Sequence, residues 1–404
     1  MTRYSAASMC PRLGRCNKVE MSPNPLFTQM AIAAQTRKIR LGQCANIVVW
    51  HHPVRIAEQI AQLDVISGGR VECGMGRGYQ PRENETLGRP YGSTIQDQER
   101  NRHAFEEAVE IIRKCWTEPS FSHHGENFSI PPTYTKWNHK QTIAYFQLDK
   151  VERRLEDVIK IGAPDMYSAG NPVQATTTVL KEIQVFPQPT QKPHPQIWEP
   201  LTSPRSIKWA AENGINGVFI VEPNDRLKKN IDMYYEAAEK ANWPDMLHRG
   251  KFKYGWDAQK RRGIMTSRYV HITTPGREKQ AMDRAARAME LQFDYYGPFG
   301  FGAVVARLDE PMFDLNKRVT AEMLREREIA IQGSKQFVID KIMKMKNEIG
   351  YEDFCFLGWF ELGGFESREI EDQMQLFAEE VMPVIARECG GKVELPERGI
   401  NYAP

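Results

Sequence analysis

An arginine between two glycines, Gly76-Arg77-Gly78, follows an apolar segment that predicts a strand over 71–75. Side chains just after a parallel strand line the ligand-binding edge of α/β proteins. Glycines allow close backbone approach, and a guanidinium there suits bidentate binding of a phosphate. A salt bridge at the surface is the alternative for Arg77, and the spacing leaves both open. The surrounding sequence does not meet GxGxxG, which argues against a dinucleotide fingerprint.

Two hydroxyl side chains stand where another predicted helix begins. Ser203 and Ser206 lie at the start of the helix predicted over 204–213, after a short strand at 196–199. The N-terminus of a helix offers free N–H groups and the positive end of the helix dipole, so hydroxyls there can complete an anion site. Ser203 would also cap the helix without any ligand. Phosphate contact and simple capping both stay open.

The polar stretch that ends at Asn46 follows the sequence IRLG, inside a strand predicted over 39–49. The Asn46 amide could hydrogen-bond a ligand, or it could simply be a polar residue at a strand end. His51 and His52 precede Pro53 and could suggest a metal site. No Asp or Glu partner lies nearby at ligand spacing, so we expect no metal.

Short apolar segments alternate with longer helical patterns, which is typical of βα units around a parallel sheet. The predicted strands lie at 39–49, 71–75, 196–199, 217–221, 264–273 and 353–359. The predicted helices lie at 26–36, 53–67, 101–116, 204–213, 225–241, 277–296, 334–348 and 369–388. No linker or change of composition divides the series, so we expect a single barrel domain over 1–404.

The composition is that of an ordinary globular chain, with 404 residues, 41% hydrophobic and 26% charged. Its net charge of +2 does not favour non-specific binding of nucleic acid. Neither a membrane-spanning segment nor the apolar core of a secretory signal is recognisable, so we expect a cytoplasmic protein. Seven cysteines without a CxxC pair favour reduced thiols over a disulfide framework or a zinc site.

The segment Thr36–Gly88 resembles the bacterial luciferase-like flavin monooxygenases. It carries, in this order, IRLG in a strand, HPVRxAE on a helix, LDxxSxGR, and a strand that ends in GxGRGY. Single pieces are weak signals, but the ordered set over about fifty residues is specific. The resemblance continues through NRHAFEEAVEIIRKCWTE, VFPQPTQKPHPQIW, SPRSIKWAAENGINGVF and FAEEVMPVI, and so covers most of the chain.

This resemblance implies a (β/α)8 barrel of the TIM type that uses reduced FMN, supplied by a separate flavin reductase. Molecular oxygen would react at the flavin to give a C4a-peroxide, which passes one oxygen atom to a small organic substrate. The family often has a non-prolyl cis peptide at the position of Cys44 and Ala45. The cofactor-binding residues that the resemblance implies are Cys44, Ala45, Asn46, Arg77, Tyr79, Arg102, Ser203 and Ser206. Among these, the two arginines and the two serines would hold the FMN phosphate.

Measured against the family pattern, the chain lacks the first strand, the first helix and the second strand. The histidine that ends the second strand is absent with them, so no catalytic residue is named. A long insertion at 131–182 follows the fourth βα unit and could be a lid or a disordered tract. A start codon placed too late is the favoured explanation of the short beginning. Substitution by the insertion and a degenerate relative are the alternatives.

Two other functions stay open at the level of the sequence. The first is a deazaflavin-dependent oxidoreductase on the same barrel, which would transfer hydride without oxygen. The second is a catalytically silent flavin-binding or partner subunit, because the first barrel elements are missing. The resemblance also implies a homodimer, formed through the helices at 26–36 and 53–67.

Overall fold

The computed structural model describes residues 24–78, 97–135, 182–241, 246–248, 251–252, 264–297, 301–311, 318–350 and 354–390. Tyr79 and almost all of the predicted insertion lie outside these ranges. The described chain forms two compact units, an N-terminal unit (25–195) and a C-terminal unit (196–390). Within the described ranges, no helix combines the length and the apolar character that a membrane span needs.

The N-terminal unit consists of short parallel strands with helices packed against one another beside them. Its elements are α1 (Pro25–Gln35), β1 (Leu41–Gly42), β2 (Asn46–Ile47), α2 (Pro53–Ser67), β3 (Val71–Gly76), α3 (Gln98–Thr117) and the hairpin β4 (His123–His124) with β5 (Ser129–Ile130). Both β1 and β2 pair in parallel with β3. In the antiparallel hairpin His123 lies opposite Ile130 and His124 opposite Ser129.

Helix α2 shows how the local sequence sets the ends of an element. Pro53 occupies the first turn, where a missing N–H costs nothing. The His52 side chain accepts a hydrogen bond from the Val54 N–H at 3.3 Å, and Gly68 ends the helix in the left-handed conformation with φ of 68°. The buried face then places Ile56 and Ile60 in the core. The predicted limits of 53–67 are therefore confirmed.

The motif LDxxSxGR anchors the chain around α2. The buried Arg70 guanidinium donates to the carbonyls of Ala33 at 3.0 Å and Ile39 at 2.8 Å. The buried Asp64 carboxylate accepts from the backbone N–H and the side-chain amide of Gln191 at 2.9 and 2.7 Å. Since each charge meets several hydrogen-bonding partners, its burial is compensated. The motif thus ties α1 and the proline-rich segment before residue 196 to the same helix.

The C-terminal unit has five parallel strands and seven helices within the described ranges. Its elements are β6 (Gln196–Pro200), α4 (Pro204–Glu212), β7 (Asn216–Phe219), α5 (Asn224–Ala241), an antiparallel pair β8 (Met246–His248) and β9 (Lys251–Phe252), β10 (Ile264–Ile272), α6 (Glu278–Tyr296), α7 (Ala321–Glu326), β11 (Ala330–Gly333), α8 (Lys335–Ile349), β12 (Phe354–Trp359), α9 (Ser367–Leu376) and α10 (Met382–Glu388).

Strand β10 is the centre of this unit. It pairs in parallel with β7, β11 and β12, and β7 continues the sheet to β6. Side chains alternate across a strand, so Tyr269 packs with α6 while Val270 and Ile272 pack with α8. Helices on both faces explain why the strand reads as a nearly continuous buried segment. The α/β class with parallel strands, predicted from the alternation of elements, is confirmed.

Most predicted elements are present, and the differences have physical causes. The strand predicted over 39–49 is broken, because the chain turns through a cis peptide between Cys44 and Ala45 and ends in a 3-10 turn at Val48–Trp50. The helix predicted over 369–388 is divided by a π-helical turn at Phe377–Val381, next to Pro383, which cannot donate a helical hydrogen bond. The prediction missed α7 and β11, which are too short to show a period.

Candidate functional site

The segment from Gly42 to Ile47 crosses from β1 to β2 and is held by side-chain amides. Gln43 is buried and donates to Gln29, which in turn donates to the Gly42 carbonyl. The Asn46 amide donates to Gln43 Oε1 at 3.0 Å and to the Gly74 carbonyl at 3.2 Å. The Asn46 nitrogen therefore fixes the backbone of the turn. This contact with the chain gives Asn46 a structural role whether or not its oxygen meets a ligand.

Cys44 lies at the outer point of this turn, and its peptide bond to Ala45 is cis, as the resemblance implies. The residue is exposed, and desolvation by the surrounding protein raises the pKa of its thiol to about 11. A thiol with this pKa stays protonated at neutral pH and is a weak nucleophile.

Two glycines of the GMGRG sequence make room for this turn. A Cβ atom on Gly74 would overlap the Gln43 carbonyl. A Cβ atom on Gly76 would lie 2.9 Å from Ile47 Cδ1 and 3.3 Å from Ala45 Cβ. The sequence predicts that Gly76 lets a ligand approach the backbone. In the structure, the missing side chain instead makes room for Ala45 and Ile47.

Arg77 follows β3 directly and reaches the beginning of α3. Its Nη1 donates to Gln98 Oε1 at 2.9 Å, and Gly78 beside it adopts a positive φ of 72°. Arg102 lies one helical turn after Gln98, and both residues therefore point to the same side of α3. The structure thus brings Arg77 and Arg102 to the N-terminal end of a 20-residue helix. Two guanidinium groups and the positive end of a helix dipole suit a phosphate.

Ser203 and Ser206 are placed at the beginning of α4, as predicted. Ser203 is the N-cap, and its hydroxyl accepts from the Ser206 N–H at 3.2 Å. The two hydroxyl oxygens lie 2.9 Å apart, and either can be the donor. The capping alternative is therefore realised in the ligand-free chain. An anion here would have to accept from the hydroxyl hydrogens, because the lone pairs of the two oxygens only accept.

The histidines beside Pro53 have structural partners. His52 caps α2, and its ring lies edge-on to Phe128 with the centroids 6.2 Å apart. Burial lowers the pKa of both His51 and His52. His123 in the hairpin lies 2.9 Å from the Glu107 carboxylate. Within the described ranges, no three His, Cys, Asp or Glu side chains are grouped so that they could hold a metal ion.

Three aromatic residues in or shortly after strands differ in their surroundings. Trp198 is buried within β6. Trp359, at the end of β12, is only partly buried and lies against the Tyr269 ring with the centroids 4.9 Å apart. Tyr79 is outside the described residues, so its place relative to Arg77 stays a prediction.

Two buried charged residues of the C-terminal unit, Glu222 and Arg268, belong to no motif and were not predicted. Glu222 accepts from Asn230 at 2.8 Å, and Arg268 donates to Asn224 at 2.6 Å. Burial raises the pKa of Glu222 to about 7 and lowers that of Arg268 to about 10. The signal was present in the sequence, since charged residues in or directly after apolar strands must find partners.

A cavity of about 1100 Å³ opens beside this pair in the C-terminal unit. Asn224 and Glu328 line it, together with six Lys and Arg side chains and further carboxylates. Many of these charges are already matched, since Glu328 meets Lys341 and Lys344, and Lys228 meets Asp232. The lining therefore differs from the largely apolar lining of cofactor sites. We assign it no role in cofactor binding.

Known proteins with similar sequences include flavin enzymes. The chain is 22% identical over 377 residues to the oxygenase component of the flavin-dependent trigonelline monooxygenase of Acinetobacter baylyi, covering 91% of this chain and 82% of that protein. It is 32% identical over 107 residues to the alkanal monooxygenase beta chain of Photorhabdus laumondii, which is 26% of this chain and 31% of that protein.

Solved structures with the same fold bind two types of cofactor. The oxygenating constituent of 3,6-diketocamphane monooxygenase from Pseudomonas putida, in complex with FMN, superposes with a TM-score of 0.60 at 19% identity, over 91% of this chain and 85% of that chain. A secondary alcohol dehydrogenase that depends on coenzyme F420 superposes with a TM-score of 0.56 at 14% identity, over 90% and 85%.

The family model gives the most direct assignment. Residues 10–351, which include the turn at Cys44, the arginines of α3 and the serines of α4, match the model for luciferase-like monooxygenases. That match extends over more than three quarters of the chain and agrees with the ordered motifs between Thr36 and Gly88. The protein is therefore an oxidoreductase that belongs to the luciferase-like monooxygenase family.

Proposed function

We propose that this chain is the oxygenase component of a two-component monooxygenase that uses reduced FMN and molecular oxygen to oxygenate a small organic substrate. The observation that carries the proposal is the approach of Arg77 to the beginning of α3, one turn before Arg102. A flavin mononucleotide ends in a phosphate, and this is the group that such an arrangement binds well.

The residues of the N-terminal unit fit the two parts of FMN. The phosphate would meet Arg77 and Arg102, and the planar ring would lie against the turn that contains Cys44, Ala45 and Asn46. Cys44 is exposed at this turn, so a ligand can reach its side chain. From the family resemblance we add Tyr79, Ser203 and Ser206 to the proposed binding set.

The residues of the chain would hold the cofactor and keep water away from it. The flavin supplies the chemistry, and we carry over from the family the expectation that oxygen is transferred from a C4a-peroxide. Cys44 keeps its proton at neutral pH, so it offers the ring a neutral contact. The buried Gln43 and Asn46 fix the turn, which limits the motion of the groups beside the ring.

The finer features of the fold are part of the proposal. We propose one (β/α)8-type domain over 1–404. A flavin reductase would supply the reduced cofactor, as the words "oxygenase component" in the relative's name suggest. A homodimer would form through α1 and α2, where Phe27, Val65 and Ile66 are exposed.

The proposal is tested by titration of reduced FMN into the anaerobic protein and into Arg77→Ala. Loss of a charge-assisted contact to phosphate costs about 1.5 to 3 kcal/mol, so the dissociation constant should rise by about 10- to 150-fold. Arg100→Ala is the matched control, because Arg100 is exposed in the same helix. Its affinity should stay within about twofold of the wild type. Equal affinities for all three proteins would remove Arg77 from the site.

A deazaflavin-dependent function is the second candidate, because the alcohol dehydrogenase that depends on F420 has the same fold. Parallel titrations with FMN and F420 separate the two. The absorbance of a peroxyflavin, followed when oxygen is mixed with the protein that holds reduced FMN, then separates an active oxygenase from a silent flavin-binding relative. Binding of F420 alone, or binding of reduced FMN without a peroxyflavin absorbance after oxygen is added, would contradict the proposed monooxygenase.

A further inference from the structure

Three buried polar atoms on one face of β10 and on α6 have no hydrogen-bond partner among the described residues. They are the Tyr269 hydroxyl oxygen, His271 Nδ1 and Gln292 Oε1. Their side chains are 0%, 6% and 5% exposed. Folded proteins leave few buried polar groups unpaired, because each one loses its hydrogen bonds to water. Three such atoms in one region therefore require an explanation.

The three side chains belong to one neighbourhood. Tyr269 and His271 are two residues apart on β10, so they point to the same face of the sheet. Gln292 precedes Phe293 on α6, and the Phe293 ring lies 6.1 Å from the Tyr269 ring between centroids. Gln292 also lies beside Gly363, since a Cβ atom on that glycine would come within 3.4 Å of Gln292 Cβ. The loop after β12 thus closes over this part of α6.

Register and helix spacing connect Gln292 to His271 by a second path. His271 lies opposite Gln332 in the pairing of β10 with β11, and Gln332 donates to Met289 Sδ at 3.7 Å. Met289 is three residues before Gln292, on the same side of α6. The unpaired atoms therefore lie near the carboxyl ends of β10 and β12. This is the edge of a parallel sheet at which ligands bind.

Aromatic rings surround these atoms. Trp359 lies against Tyr269, and Phe365 lies against His271 with the centroids 5.6 Å apart. Phe301 packs on Phe293 with centroids at 5.6 Å. Trp359, the last residue of β12, is only partly buried, whereas Tyr269 is fully buried. Flat apolar walls with a few polar atoms are typical of a pocket for a planar ligand.

The unpaired atoms define the complementary chemical group. Tyr269 keeps its proton, because burial raises the pKa of the phenol, and it can donate. Burial lowers the pKa of His271 to about 4, so its imidazole is neutral at pH 7 and one ring nitrogen can accept. Gln292 Oε1 only accepts. A hydroxyl group, with one donor and two acceptor positions, matches this set.

We propose that Tyr269, His271 and Gln292 bind the hydroxyl group of a hydroxylated aromatic compound, with Trp359 and Phe365 as the walls of the pocket. The ligand hydroxyl accepts from Tyr269 and donates to Gln292 or His271. Entry requires the Trp359 or Phe365 side chain to swing aside. The compound is the substrate class of the oxygenase, and this identification as substrate rests on the function proposed above.

The first test compares two fully buried tyrosines of the same unit. The Tyr234 hydroxyl donates to the Ile215 carbonyl at 2.7 Å, whereas the Tyr269 hydroxyl has no partner in the described chain. In urea unfolding of the ligand-free protein, Tyr234→Phe should lower the midpoint, because a buried carbonyl loses its donor. Tyr269→Phe should leave the midpoint unchanged or raise it. A loss as large as that of Tyr234→Phe would show a hydroxyl satisfied within the fold and would overturn the proposal.

The second test measures binding of phenol and of fluorobenzene by calorimetry, without flavin. The wild type should bind phenol at least about threefold more tightly than fluorobenzene, which has a similar shape but no donor. Tyr269→Phe and Gln292→Met should abolish this preference, and Tyr234→Phe should keep it. Equal affinities of the wild type for both compounds, or a preference that survives both pocket variants, would overturn the proposal.

The outcome is separable from that of the flavin titration. If the protein prefers phenol but does not bind FMN, the result supports the proposed aromatic pocket and contradicts the proposed monooxygenase. A protein that binds FMN through Arg77 but does not distinguish the two aromatic compounds would keep the monooxygenase and contradict the pocket.

Discussion

In the N-terminal unit the buried charges of the LDxxSxGR motif hold the backbone, whereas β10 in the C-terminal unit buries polar atoms that have no partner in the described chain. In the first unit, Arg70 and Asp64 each bind several backbone or amide groups. In the second, Tyr269 and His271 carry unpaired atoms within a strand that is otherwise well packed. The same burial therefore has different consequences in the two units.

The residues that identify the family are therefore different from the residues that could select a substrate. The motifs that make the N-terminal unit recognisable fix the turn at Cys44 and the beginning of α3. In the proposed function, these two features would bind the ring and the phosphate of any flavin mononucleotide. The polar atoms of β10 and α6 belong to no motif, and the hydroxyl they suit is a feature of one ligand class. Fold-level likeness supports the first kind of statement and gives no information on the second.

The largest expected loss of stability comes from a substitution that disturbs the backbone of the N-terminal unit. Gly74→Ala places a methyl group on the Gln43 carbonyl, so either β3 or the turn at Cys44 must move. We expect the free energy of unfolding to fall by at least about 4 kcal/mol, because the overlap is with backbone rather than with a flexible side chain. Urea unfolding followed by circular dichroism measures this loss.

Gly297→Ala is the control in the other unit. No atom lies within 4 Å of a Cβ at Gly297, and its φ of −54° suits any residue. Its stability should stay within about 0.5 kcal/mol of the wild type. If Gly74→Ala also left the stability unchanged, a side chain would fit at this position, and the structural role of Gly74 would be wrong.

A smaller effect is expected from His271 on β10, whose contribution to the free energy of unfolding should depend on pH. Burial lowers the pKa of His271 from 6.5 to about 4. Between these values the unfolded chain binds more protons than the folded one, so stability rises as the pH increases from about 4 to 6.5. The contribution of His271 is about 3 kcal/mol at pH 7, and it is lost as the pH falls through this range.

His271→Asn isolates this contribution. Glu222, whose pKa is raised to about 7 by burial, acts in the opposite sense between pH 4.5 and 7. It is present in both proteins and cancels in the difference between them. The wild type should gain stability over the variant as the pH rises from 4 to 6.5. Parallel stability curves from urea unfolding at four pH values would show that His271 is not buried as a neutral ring.

Periodicity predicted much of the fold because most elements are long enough to show it. The helices α2 and α8 carry their own caps, His52 with Gly68 and Ser334 with Gly350, so their limits could be read from the chain. The break between β1 and β2 could not be derived from local pattern, since it depends on the contact between Gln43 and Gly74. The family resemblance supplied the cis peptide there.

The candidate site was predictable only where a motif places a residue. The GxGRGY sequence put Arg77 after a strand, and the structure adds its contact with Gln98. Tyr269 and Gln292 are separated by 23 positions and meet only through the packing of α6 on β10, so spacing could not join them. A rule that flags polar residues within apolar strands would have selected Arg268 and His271.

The smallest effect concerns Ser203, where capping and phosphate binding predict different results. Ser203→Ala should cost about 1 kcal/mol of stability, because the Ser206 N–H loses its acceptor. Ser203→Asp keeps the cap, so its stability should match the wild type, but its charge would repel a phosphate. FMN should then bind about tenfold more weakly to Ser203→Asp, while riboflavin, which has no phosphate, should bind unchanged. If the affinities for FMN and riboflavin changed equally, or neither affinity changed, Ser203 would act only as a helix cap. Phosphate binding would then depend on Arg77 and Arg102 alone.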